Sequence, residues 1–132
     1  MRITNGNWIN VLILYGLVFF YSIAGINHFL MPEFYWPLIP NYLPNPDFLN
    51  ILSGMIEIML AVGIFFKASR KVSAYLIILM LFCFLPAHIH FINVGGCVSQ
   101  SLCVPAWISW IRLIIIHPLL IYWAYACRNL TL

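Results

Sequence analysis

At 132 residues, with 64% hydrophobic content, 7% charged residues and a net charge of +3, this chain is too apolar for a soluble domain, in which about a quarter of residues are charged. So small a positive balance is no nucleic-acid signature, and the few charges act as signals of membrane topology instead. The expected fold is all-α: a polytopic, antiparallel four-helix transmembrane bundle in a single domain over 1–132, with helices at about 8–30, 48–66, 72–94 and 105–126. Each run is close to the roughly 20 residues that span a bilayer.

The charges fall on one side of this plan. Arg2, Lys67, Arg70, Lys71 and Arg128 flank the spans at one face, whereas Glu33 and Asp47 mark the other. Lys and Arg accumulate in cytoplasmic loops, so the expectation is a multi-pass protein of the cell membrane with both termini cytoplasmic. Arg2 before the first apolar run resembles a secretory signal, but the run exceeds the 7–15 residues of a signal core, and a retained helix is expected.

In the first span, Gly16, Phe20, Ala24 and Asn27 share a stripe, and Tyr21, Gly25 and His28 form an adjoining one. Small residues let membrane helices approach closely, so this side should face the bundle. Asn27 and His28 lie near the outer end, where polar residues bonded to water are an ordinary finding.

Met31–Asp47 (MPEFYWPLIPNYLPNPD) carries Pro32, Pro37, Pro40, Pro44 and Pro46 among apolar and aromatic residues. So many prolines exclude a long regular helix. A Pro-rich outer connector follows, either an interfacial link or a cap over the bundle mouth.

Asp47 is the expected N-cap of the second span. Within it, Asn50, Ser53, Gly54, Glu57 and Ala61 fall on one face by their spacing. Lys67–Lys71 should form a short turn. In the third span, Pro86 should kink the helix. His88 and His90, two residues apart, point nearly opposite ways, so one of them should face the bundle.

The loop Gly95–Val104 is uncharged and holds Cys97 and Cys103. On the oxidising face these two would close a structural disulfide, whereas Cys127 should stay reduced. Trp107 and Trp110 open the fourth span, and Tyr122, Trp123 and Tyr125 close it, as interfacial belts do. Arg112 lies inside this span. His117, five residues on, need not share its face on a regular helix.

Glu57 is the organising residue. A carboxylate in hydrocarbon costs several kcal/mol unless it is neutralised or paired. Arg112 is the cation within another span, at a depth of roughly 10–14 Å below the same face by helical rise. The two should touch directly or through one bound polar group.

With His28 and His88 (or His90) they gather polar groups from all four helices in the outer half. Such a pocket suits a small amphipathic ligand with a polar head. A quinone fits, since Arg and His can donate to its carbonyls and Glu57 can relay a proton. The expected ligand-binding set is therefore His28, Glu57, His88 and Arg112.

Two further readings stand beside this one. The Glu57–Arg112 pair could fix helix register in a non-catalytic subunit or assembly factor of a membrane oxidoreductase complex. Histidine ligation of a metal or haem has no His/Glu spacing motif behind it, so no metal site is assigned. Expected partners are the lipid bilayer, subunits of a membrane redox complex and a second copy of this chain, with no nucleic acid.

Four segments give the chain a family likeness: Ala24–Pro44, Ser53–Glu57 (SGMIE), Leu85–Ile89 (LPAHI) and Trp107–Ala124. In order and spacing they resemble the DoxX-like family of small four-span membrane proteins. The resemblance implies a compact four-helix membrane bundle linked to quinone reductase complexes or to thiol and quinone stress. It also implies that His28, Glu57 and Arg112 occupy the family's polar positions. His88 and His117 depart from it, standing where Asn and Gln are expected.

Overall fold

The computed structural model describes residues 5–100 and 102–132, with side chains from residue 8 onward. Arg2, part of the charge argument above, lies outside the described residues. Helix α1 (Asn5–Leu30) leads into a connector that holds a short helix α2 (Pro32–Tyr35) and a 3-10 turn (Trp36–Leu38). Helices α3 (Pro46–Phe65), α4 (Lys67–Cys83) and α5 (Leu85–Asn93) follow. A hairpin of β1 (Cys97–Ser99) and β2 (Leu102–Cys103) then leads to α6 (Ala106–Ile111), a π-helical stretch (Arg112–Ile116) and α7 (His117–Cys127). Among the described residues this makes four helices long and apolar enough to cross a membrane: Trp8–Leu30, Pro46–Phe65, Lys67–Asn93 and Ala106–Cys127.

These four close a ring, α1 on α3, α3 on α4, α4 on α7 and α7 back on α1. Their sense is antiparallel. Tyr15 meets Phe65 while His28 meets Asn50, and Arg70 meets Leu130 while His88 meets His117. Leu14, Leu17, Leu60, Ile64, Ile77 and Ala124 are the centre of the core.

The buried stripe of α1 is Leu14, Leu17, Tyr21, Gly25 and His28, and Phe20 is 40% exposed. The cause is a tight crossing. A Cβ on Gly25 would stand 2.7 Å from the Gly54 carbonyl oxygen, so only glycine lets α1 and α3 touch there, and that contact fixes the rotation of α1. Phe20 is left at the edge against Trp123, with ring centroids 5.9 Å apart.

Helix boundaries differ from the expectation in two places. α3 starts at Pro46, whose fixed φ suits a first turn. The cap position therefore falls to Asn45 in the left-handed region (φ 50, ψ 70), and Asp47 lies in the first turn. Lys67–Lys71 is helix rather than turn. Phe66 alone, extended at φ −81 and ψ 127, reverses the chain. Its carbonyl accepts from Ser69 and Arg70 N–H and so begins α4.

Arg70 makes this one-residue reversal workable. Its buried guanidinium donates from Nε to Ile64 O (2.9 Å), from Nη2 to Phe65 O (3.1 Å) and from Nη1 to Leu130 O. Those carbonyls end α3 and the C-terminal tail, where helices leave acceptors unpaired.

At the other end the third helix breaks at Phe84, two residues before Pro86. Proline there removes a donor from the ladder. α5 ends on Gly95 and Gly96, both left-handed at φ 73 and 81. The hairpin beyond is tied by the Cys97–Cys103 disulfide. Cys127 is free and buried.

Candidate functional site

The α1–α3 crossing that joins Gly25 to Gly54 also brings two polar side chains together. Side chains on a helix lean towards its N-terminus. In antiparallel neighbours they lean in opposite directions, so His28 on α1 and Glu57 on α3 converge although they stand at different levels. His28 Nε2 lies 3.6 Å from Glu57 Oε2.

Asn50, on the same face of α3, settles the histidine tautomer. Its Nδ2 donates to the His28 carbonyl at 2.8 Å, so its Oδ1 faces His28 Nδ1 at 2.6 Å. A carbonyl oxygen can only accept, hence Nδ1 carries a proton. The remaining nitrogen, Nε2, is the one that faces Glu57.

The connector covers this pair. Tyr35 stacks on the His28 ring with centroids 3.7 Å apart, and Asn27 Nδ2 donates to the Tyr35 hydroxyl at 2.8 Å. Burial raises the Tyr35 pKa, which keeps the hydroxyl protonated at neutral pH. Asn27 is thus a clamp on the cap, beyond its expected role as an interfacial polar residue.

From the other side, the break at Phe84 aims His88 inwards. His88 lines the cavity, and His90 does not. Behind it lies buried His117, the two rings edge to face at 4.9 Å. The π-helical stretch accounts for this position. The His117 N–H bonds to Arg112 O, five residues back. A turn closed at that spacing stacks residues five apart nearly over one another, so His117 comes round towards the Arg112 side, which a regular helix would not allow.

His28, Glu57, His88 and Arg112 all line one cavity of about 680 Å³ between α3, α4, α5 and the connector. Tyr35, Asn50 and Ser53 add polar groups, and the rest of the wall is apolar apart from Cys83. The direct contact expected between Glu57 and Arg112 is absent. Glu57 has the His28 imidazole 3.6 Å away instead, and the Arg112 guanidinium stands over the Phe91 ring, 4.7 Å from its centroid. Cation–π placement suits a guanidinium that keeps its N–H groups for another acceptor. Glu57 Oε2 is buried without a hydrogen bond. That oxygen is the one facing His28 Nε2, while Glu57 and Arg112 both stand on the wall of the cavity, open to a polar group bound there.

Among the described residues, no three His, Cys, Asp or Glu side chains gather to hold a metal ion. Sequence reasoning missed Asn50 as the tautomer-setting partner and Tyr35 as the lid. The i, i+7 spacing of Asn50 and Glu57 was the available signal for the first.

No curated protein and no solved structure matches the chain. A family model described as a domain of unknown function (DUF8561) matches residues 17–128, from within α1 to just past α7, and the chain belongs to that family.

Proposed function

We propose that this protein is a multi-pass protein of the cell membrane that binds a small amphipathic, quinone-like ligand in the cavity between α3, α4, α5 and the connector. Its four long apolar helices each span the bilayer, with Lys67, Lys71 and Arg128 at the cytoplasmic face. The connector and the disulfide hairpin lie outside. The resemblance to DoxX-like proteins is compatible with such a role in quinone-linked redox chemistry.

One observation carries the reading: four ionisable side chains from all four spans line the same largely apolar cavity. Ionisable groups inside a membrane mark functional sites by default, because their cost there is high. A ring carbonyl between them can accept from Arg112, while the hydroxyl of a bound quinol can exchange its proton with His28 or Glu57.

The alternative role, a non-catalytic subunit or assembly factor of a membrane oxidoreductase complex, would have to work without a direct Glu57–Arg112 register lock, since Glu57 lies by His28 and Arg112 over Phe91. The test is extraction and mass spectrometry of the protein purified in mild detergent. A quinone should accompany the unmodified chain and be missing from Arg112→Leu. A stoichiometric protein with no small molecule would favour the subunit role. Topology is checked by Asn41→Cys, which should react with an impermeant maleimide from outside intact cells.

A further inference from the structure

The cavity is part chamber and part open slot. Leu52, Met59, Leu76, Leu79 and Cys83 line it while also being exposed on the outer surface of α3 and α4. The helices are pinned together near the Phe66 reversal, where a Cβ on Gly63 would lie 2.0 Å from Ser73 Oγ. From there they part towards the break at Phe84. Beyond the break, α5 packs on the 3-10 turn and on α6, which leaves a wedge-shaped gap beside α3.

The connector end of the wedge is closed differently. Leu38 and Pro40 are buried there, and Tyr35 is stacked on His28 and held by Asn27. Opening that end would require unstacking an aromatic pair and breaking a hydrogen bond. The side facing the helical surface needs no such change.

The lining is also graded along α3. Asn50, Ser53 and Glu57 occupy the connector half, with His88 and Arg112 opposite. Below Glu57 come Met59, Leu60, Leu76 and Leu79. From Asn50 to Leu60 the rise is about 15 Å, long enough for a head and part of a chain. A molecule lying in the leaflet on the connector side already has this orientation, with its polar end up and its chain down.

We infer that the ligand is a long-tailed amphiphile that enters sideways from the bilayer between α3 and α4. Its head lodges among Arg112, Glu57 and His88, and its chain leaves through the slot beside Met59 and Leu79. This rests on the ligand site proposed above and adds the class of ligand and its route. A compact polar molecule would leave the apolar lower half of the cavity unfilled.

Two photoprobes test it on the whole protein in phosphatidylcholine vesicles. Both carry a 4-hydroxyquinoline head with a decyl chain, one with a diazirine at the chain end and the other with it on the ring. After irradiation and peptide mapping, the chain-end probe should label Met59, Leu76 or Leu79, and the ring probe Tyr35 or His88. An excess of the unlabelled decyl compound should remove most of both labels. Competed ring labelling together with chain-end labelling at Asn41–Pro44 would overturn sideways entry and leave the site reading standing. Label that resists competition and spreads over Leu12, Phe19 and Leu119 as well would overturn both.

Discussion

The Glu57 carboxyl faces the His28 imidazole across 3.6 Å, and Asn50 determines which imidazole nitrogen is turned towards it. With His28 Nδ1 committed to Asn50 Oδ1 at 2.6 Å, any proton exchanged with Glu57 has to pass through Nε2. The separation exceeds hydrogen-bond length, so a bound hydroxyl or a small closure of the cap is needed for transfer.

Asn50→Ala should therefore act in two ways. It removes both hydrogen bonds that join α3 to His28, which costs about 1–2 kcal/mol by the usual worth of buried bonds between membrane helices. It also frees the imidazole to adopt the other tautomer. Unfolding in a detergent mixture titrated with dodecyl sulfate measures the first effect, and ligand retention the second. Unchanged stability and unchanged retention together would show that Asn50 has neither role.

Gly54 tests the crossing that makes the pair possible. A Cβ there would come within 2.7 Å of His28 Cβ and 2.9 Å of Gly25 O. Gly54→Ala should force the helices apart at a cost of roughly 1–3 kcal/mol, the usual penalty of overpacking. Because His28 itself must give way, ligand binding should fall along with stability. The same unfolding titration, run with a binding assay, checks both.

Arg70 should matter for stability and not for the ligand. Arg70→Met leaves the carbonyls of Ile64, Phe65 and Leu130 without their charged donor. Bonds to charged groups contribute about 1.5–3 kcal/mol each at most, and replacement should cost roughly 2–4 kcal/mol in total once nearby water and packing compensate. Protease cleavage near Arg128 should speed up as the tail loosens, while ligand content per folded protein stays the same.

Much of this arrangement is legible in the sequence, for reasons particular residues make plain. The α3 face of Asn50, Gly54 and Glu57 follows from helical spacing alone, and buried small residues do lie there. Burial of Arg112 and Glu57 in apolar runs was enough to place them at one site. Their relationship was not legible, because a charge count sees Arg112 as the available partner and cannot see that side chains of antiparallel helices lean together. His88 became distinguishable from His90 only once the break at Phe84 set the rotation of α5. His117 needed the π-helical stretch, which shifts the helical phase by one residue and leaves no mark in a run of Leu and Ile. Arg70 read as a topology signal, since only the fold reveals which carbonyls lie within its reach.

The pairing around Glu57 can be apportioned by two double-mutant cycles, read from unfolding without ligand and again with it. Without ligand, Glu57→Gln and His28→Gln should be coupled by about 1 kcal/mol, because residues in contact depart from additivity. Glu57→Gln and Arg112→Gln should show the weaker coupling, since Arg112 stands over Phe91 and not on the carboxyl. A bound head that touches both residues reverses the order. It accepts from Arg112 while meeting the Glu57 carboxyl on the cavity wall, so each substitution then removes part of the other's partner, and the Glu57–Arg112 coupling should rise above its ligand-free value. Strong coupling between them without ligand would mean that the two side chains meet directly, and the cavity between them would no longer need a bridging group.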